Sequence, residues 1–266
     1  MTISAGTVNA LKALLRRADD EPHTITLLTD EELVAVEHDA ACTPHPTPWI
    51  TESPGVDRDL AGRFGVRSLL ARGLLRETVP TPGAAPVLDV RPEVRIVLDT
   101  RRVGLGYIRA MRPQDGAGRS KIMVVQPELG TFEEDISIQG FHLFTACNYE
   151  DSTSRMAHWC LPDPTGRATG GVTHVPDAQW PAFLHAEFPD ARVTNLSIEV
   201  FLPDGSGRRE PEHWLLAYGG SAAVIAQPAP ANGLAVRPVS TARLRDLLDD
   251  RVAQALQYAR DQGSKA

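Results

Sequence analysis

The chain has 266 residues, 42% of them hydrophobic and 23% charged, enough to bury a sizeable core in one large domain or two intimate halves. A formal net charge of −7 argues against nucleic acid as a partner, because phosphate binding leaves a basic footprint. No apolar run approaches the ~18 residues that span a bilayer, so no membrane partner is expected. Three cysteines (Cys42, Cys147, Cys160) cannot all pair within the chain, which fits a reduced, cytoplasmic setting.

Residues 1–22 read as an N-terminal amphipathic helix, with Val8, Leu11, Leu14 and Leu15 on its apolar side. Arg16 and Arg17 follow the apolar stretch, the wrong order for a secretory signal. Residues 23–262 read as a single pseudo-symmetric α+β domain, its halves running about 23–150 and 170–262. Ile25 to Leu28 predicts a strand, and Thr29-Asp30-Glu31-Glu32 matches a capping box: the Thr29 hydroxyl accepts from the Glu32 amide while Glu32 reaches back. The proline-rich stretch 43–48 reads as a linker pinned by Trp49 and Ile50. Residues 57–72 read as a helix in two pieces, bent or broken at Gly62 and Gly65 and closed by a left-handed Gly73. Residues 79–86 form a connector.

From Val94 the pattern predicts an antiparallel meander, with strands at 94–98, 106–111, 120–125, 132–138 and 141–147. Residues 148–175 read as irregular and hold the seam between halves. A short helix over 177–188 precedes strands at 193–202, 214–218, 222–226 and 234–236. After Ser240 as N-cap, Leu244, Leu247, Leu248, Val252, Ala255, Leu256 and Ala259 keep helical spacing, which predicts a long C-terminal helix.

The most distinctive feature is an internal echo. Tyr107-Ile108-Arg109-Ala110-Met111-Arg112-Pro113-Gln114-Asp115-Gly116-Ala117-Gly118-Arg119 is answered by Ser197-Ile198-Glu199-Val200-Phe201-Leu202-Pro203-Asp204-Gly205-Ser206-Gly207-Arg208. Each copy reads as a strand leading into an Asp-Gly hairpin turn. A second echo relates Ile122-Met123-Val124-Val125-Gln126-Pro127 to Ala223-Val224-Ile225-Ala226-Gln227-Pro228. The fold class expected is therefore α/β (α+β): a central, mostly antiparallel sheet with quasi-two-fold related β-units, flanked by helices and closed by a long C-terminal helix.

Chemical motifs are sparse. Gly116-Ala117-Gly118-Arg119-Ser120-Lys121 has the wrong order for a phosphate-binding loop and runs into a strand, and Gly104-Leu105-Gly106 lacks the rest of a dinucleotide fingerprint. His142, Cys147, His158 and Cys160 have poor zinc spacing; read as strand residues, only His158 and Cys160 share a face. Glu133-Glu134-Asp135 reads as a solvated strand edge. Two common hydrolase signatures, Gly-x-Ser-x-Gly and His-Glu-x-x-His, are missing, and neither a cofactor nor a metal is expected. Residues 57–76, with Arg58, Arg63, Arg67 and Arg72 ahead of Gly73-Leu74, offer the alternative of a DNA-binding regulator with a degenerate winged-helix segment. An enzyme with an unrecognised site is the third reading. Loops projecting from a rigid sheet are common recognition sites, and Gln114, Asp115 and Arg119 on the first hairpin are the binding residues expected.

The order of elements carries a resemblance. A strand leads to the capped helix at Thr29-Asp30-Glu31-Glu32-Leu33, then comes the phrase Leu69-Leu70-Ala71-Arg72-Gly73-Leu74 and then Pro92-Glu93-Val94-Arg95-Ile96-Val97-Leu98. A meander, a second related β-unit and Leu234-Ala235-Val236-Arg237-Pro238-Val239-Ser240 before the Leu-rich helix complete it. Over about residues 25–258 this layout resembles the EspG family, cytosolic chaperones of type VII (ESX) secretion in actinobacteria. The resemblance implies a non-catalytic role: binding a helical protein partner, a PE–PPE-like or WXG-type secretion substrate, and masking its aggregation-prone tip. The extra N-terminal helix, the 43–48 segment and the 148–175 segment depart from that family's pattern.

Overall fold

The computed structural model describes residues 5–17, 21–37, 46–79, 81, 87–102, 106–114, 117–126, 130–162, 170–190, 192–200, 211–219, 222–229 and 233–263. The chain begins with α1 (Ala5–Arg17), β1 (His23–Thr29), α2 (Asp30–Val36), α3 (Pro48–Glu52), α4 (Arg58–Ala71), β2 (Leu75–Thr78), β3 (Val87–Val90) and α5 (Pro92–Arg102). It continues with β4 (Gly106–Gln114), β5 (Ala117–Gln126), β6 (Gly130–Ile136), β7 (Phe141–Cys147), α6 (Tyr149–Cys160) and β8 (Thr173–Pro176). A short 3-10 turn (Asp177–Gln179) leads into α7 (Trp180–Glu187), and β9 (Arg192–Val200), β10 (Glu212–Gly219), β11 (Ala222–Ala229), β12 (Gly233–Pro238) and α8 (Thr241–Gly263) finish the chain. The fold is mixed α/β: ten strands belong to one antiparallel sheet, and β2 and β3 form a separate hairpin.

Two units divide the chain: Met1–Gly104 with Phe132–Cys147, and Leu105–Thr131 with Asn148–Ala266. In the first, β1 pairs with β7, and the interior collects Leu28, Leu33, Leu69, Val94, Val97 and Phe144. The capping box forms as expected, with Glu32 N donating to Thr29 Oγ1 at 3.3 Å and Thr29 N donating to Glu32 Oε2 at 3.1 Å. Gly73 takes φ +66, and a Schellman closure seals α4: Leu74 N donates to Leu69 O at 2.8 Å and Gly73 N to Leu70 O at 3.0 Å.

In the second unit the strand order is β5-β4-β9-β10-β11-β12-β8. One sheet face packs Ile108, Met123, Leu196 and Leu216 against α6 and α8; the other packs Ala217, Val224 and Val236 against the α7 residues Trp180, Phe183 and Leu184. Ser240 Oγ accepts from Arg243 N at 3.1 Å, and Leu244, Leu248, Val252 and Ala255 bury one stripe of α8 as their spacing requires.

The first echo has a structural meaning. Strands β4 and β9 are antiparallel neighbours, and the echoed isoleucines are direct cross-strand partners, Ile108 opposite Ile198. A local two-fold between those residues exchanges the strands. The second echo does not follow it. β9 pairs with β10, as β4 pairs with β5, so β10 is the pairing counterpart of β5; Ala223 to Gln227 instead lie on β11. The turn residues Asp115 and Gly116, and Phe201 to Glu210, lie outside the described residues.

Several local expectations are corrected. Residues 94–98 are helical, in α5, because Pro92 occupies the first helical position and Val94, Val97, Leu98 and Arg101 bury one i, i+3, i+4, i+7 stripe. Helix α4 runs through Gly62 and Gly65 without a break. Gly65 serves packing: a Cβ on it would stand 2.0 Å from Glu31 O of α2. The segment expected to be irregular contains α6, whose N-cap Asn148 accepts from Asp151 N at 2.7 Å. Trp49 is an exposed side chain, and Ile50 alone of that pair is buried.

Candidate functional site

The two strands of the expected hairpin pair as far as Gln114 and Ala117. Of the three expected binding residues, Gln114 ends β4, Asp115 lies outside the described residues, and Arg119 is exposed on β5 directly opposite Arg112. Gly104 and Leu105 also lie outside the described residues, as do Cys42 and residues 43–45 of the proline-rich stretch.

The chemistry that the first unit does gather is a buried ionic chain that sequence reasoning missed. His142 on β7 places Nδ1 at 2.6 Å from Glu134 Oε1 and Nε2 at 2.5 Å from Asp30 Oδ1. Ionised carboxylates only accept, so the ring donates from both nitrogens as an imidazolium. Burial pushes its pKa down, but the hydrogen bonds to Asp30 and Glu134 and the Glu134 charge outweigh both that and the repulsion of Arg101, so the net shift is upward from 6.5. Arg101 extends the chain, donating from Nε to Glu134 Oε2 at 3.2 Å and from Nη1 to Glu37 Oε1. Asp30 also accepts from Ile50 N at 3.1 Å. The chain thus ties α2, α3, α5, β6 and β7 to one another. The side chains of Asp30, His142, Glu134 and Arg101 are fully buried, so the cluster serves as an internal clamp with no surface for substrate.

These positions overturn two readings. Glu133 and Glu134 are buried, where a solvated edge was expected; Glu134 holds two cationic side chains. His158 and Cys160 lie on α6, two residues apart, so they diverge: His158 is exposed and Cys160 is buried. No group of three or more metal-ligating side chains occurs among the described residues.

Residues 57–76 hold one continuous helix and the start of a hairpin. Arg63 and Arg67 are exposed on α4, but so are Leu60 and Phe64, 50% and 54% accessible. Arg72 is committed elsewhere. Its Nη1 donates to both oxygens of the buried Glu32 at 2.6 and 2.8 Å, and its Nη2 donates to Leu27 O at 2.8 Å. Ser68 Oγ completes the shell of Glu32 at 2.6 Å. By capping a carbonyl of β1, the first strand in the sheet order, Arg72 also protects that edge from pairing with another chain.

The opposite face of β7 has a different character. Phe141 and Leu143 alternate with the inward His142 and Phe144, and Leu27 lies directly across from Leu143. These three side chains present an apolar face, each between 36% and 46% accessible. Of the twelve exposed large hydrophobic side chains among the described residues, ten belong to the first unit; Met111 and Val172 are the others. Among the described residues, no helix is long and apolar enough to cross a membrane. Compared with protein-family models and with curated proteins, the chain matches none.

Proposed function

We propose that the protein is a cytosolic, non-catalytic binding protein of the EspG-like kind, which takes up a helical PE–PPE-like or WXG-type secretion substrate. The observation that carries the reading is the concentration of exposed apolar side chains on the first unit, above all Leu27, Phe141 and Leu143 on one face of β1 and β7. Single exposed hydrophobes need no explanation, but neighbours on one rigid face mark a protein-binding surface. An amphipathic helix laid across that face would bury its own apolar stripe there. The ionic clamp supports the role by fixing β7 from behind, since preorganisation lowers the entropic cost of binding.

The test is co-expression with a PE–PPE pair, followed by size-exclusion chromatography across a salt series. The expected result is a stable co-eluting complex insensitive to salt. It should be lost in a Leu27→Ser, Leu143→Ser double variant whose circular dichroism melt matches wild type. Elution of the wild-type protein alone at every salt concentration would overturn the proposal. Gel-shift binding to DNA that weakens steeply with salt would instead move the function to a regulator acting through α4.

A further inference from the structure

The second unit contains a polar group that its own residues leave incomplete. Arg112 continues the inward series Ile108 and Ala110 along β4, so it enters the layer between the sheet and α6 where an aliphatic side chain would be expected. Its guanidinium lies 4.4 Å from the centre of the Trp159 ring and 5.8 Å from that of Tyr218. Nε donates to Thr194 Oγ1 at 3.3 Å. Two buried polar atoms of this unit then remain without a hydrogen-bond partner among the described residues, Arg112 Nη2 and Tyr218 Oη. Tyr218 is only 4% accessible. A buried donor left unpaired forfeits the hydrogen bond it made to water, so each of these two groups calls for an acceptor.

Charge points the same way. Arg119 stands directly opposite Arg112 on the same face of the sheet. Like charges directly opposite on adjacent strands repel, and an anion between them relieves that repulsion. The surroundings are dry: burial pushes the Cys160 thiol up to about 12, even though Arg112 and Lys121 both pull it down. Arg112 forms no ion pair among the described residues, and its planar fork suits two oxygens of one group.

We infer that Arg112 and Tyr218, with Arg119 at the rim, form a binding site for an oxyanion, a carboxylate or phosphate that accepts from Arg112 Nη2 and Tyr218 Oη together. Trp159 and Thr194 hold the guanidinium in place for it. The oxyanion can come as a small free anion or as the terminal carboxylate of a bound peptide, and the experiment separates the two.

Thermal melts are recorded at constant ionic strength with sodium acetate, sodium phosphate, and an acetylated alanine tripeptide bearing either a free C-terminal carboxylate or an amide. A site for a free anion gives a saturable rise in Tm with acetate or phosphate. A peptide site gives a rise with the free-acid tripeptide at concentrations at least tenfold lower, and none with the amide. Quenching or enhancement of Trp159 fluorescence, absent in a Trp159→Phe variant, should track either rise. Tyr218→Phe removes only a hydroxyl that is unpaired in the empty site, so this variant should melt at or above the wild-type temperature without anion and lose most of the response. Arg112→Met should lose all of it. Absence of a saturable response to all three carboxylate and phosphate probes would overturn the site, as would an undiminished response in Tyr218→Phe and Arg112→Met.

Discussion

The two units handle buried polarity in opposite ways. In the first, charge is enclosed and matched: three carboxylates (Asp30, Glu134, Glu37) alternate with two cations (His142, Arg101), each cation held between two carboxylates. On the outside of β1 and β7 stand the exposed apolar side chains of Leu27, Phe141 and Leu143. In the second, Lys121, Gln126, Ser152 and Thr153 are buried among apolar neighbours, and at one end of the sheet an arginine and a tyrosine each keep a buried polar atom without a hydrogen-bond partner among the described residues. A buried ionic network that joins several elements fixes the surface behind which it lies, whereas Arg112 and Tyr218 form the anion site inferred above. The first arrangement therefore suits a rigid docking face and the second the recognition of one small charged group.

The sharpest way to break this comparison is to remove one cation from each unit. Arg101→Met strands Glu37 and Glu134 in a dry interior, and breaking a buried ion pair from one side costs about 3–5 kcal/mol. Arg251, in the second unit, pairs with Glu212 at 3.0 Å and lies 5.6 Å from the Trp214 ring centre, with both charged side chains a quarter to a third exposed. Arg251→Met should cost about 0–1 kcal/mol. Urea denaturation of the two variants measures the contrast. Equal losses would mean that the clamp is hydrated in solution and the two units do not differ as described.

The next effect is on pH. Because the folded-state pKa of His142 is raised above 6.5, its contribution to stability is fully present below that value and is lost as pH rises through the folded-state value. The unfolding free energy should therefore fall from about pH 6.5 upward, as a neutral ring can donate to only one of Asp30 and Glu134. Arg101 and Glu37 complete the set of charged groups in the chain, and Arg101 opposes the protonated form. Unfolding curves between pH 6 and 9 test this directly, and His142→Gln should flatten the profile. A stability that rises over the same interval in wild type, with no change in the variant, would contradict the assignment.

What could be read from the sequence was local. The capping box at Thr29, the left-handed Gly73, the β4–β5 hairpin and α8 all depend on residues a few positions apart, and all were legible. Helix α5 was not, because the run Val94 to Leu98 is apolar at four of five positions and β-branched at three, and so satisfies both periodicities; only Pro92 distinguishes them. Helix α6 was obscured by the buried Ser152 and Thr153, which interrupt its apolar stripe and are bonded instead to Thr131 and Asp249. The ionic clamp joins residues as far apart as Asp30 and His142, and nothing near either one in the chain announces the other. Arg112 did carry a signal: a charged residue at the position that continues the inward series Ile108 and Ala110.

The smallest expected effect refines the same contrast at two helix caps. Thr29 caps α2 within the enclosed network: its hydroxyl accepts from Glu32 N, and the Glu32 carboxylate is itself held by Ser68 and Arg72. Ser240 caps α8 at an exposed end, where water can replace its hydroxyl when Arg243 N is released. A lost cap costs ~0.5–2 kcal/mol, so Thr29→Ala should fall near the upper end of that range and Ser240→Ala near the lower. The difference has a physical origin beyond the cap bond, since loosening α2 also shifts Asp30, the first residue of that helix, relative to His142. A double variant of Thr29→Ala with His142→Gln should then be less destabilised than the sum of the two single changes, whereas Ser240→Ala with His142→Gln should be additive. Strict additivity in both pairs would show that the α2 cap acts alone and that the clamp does not extend to the start of that helix.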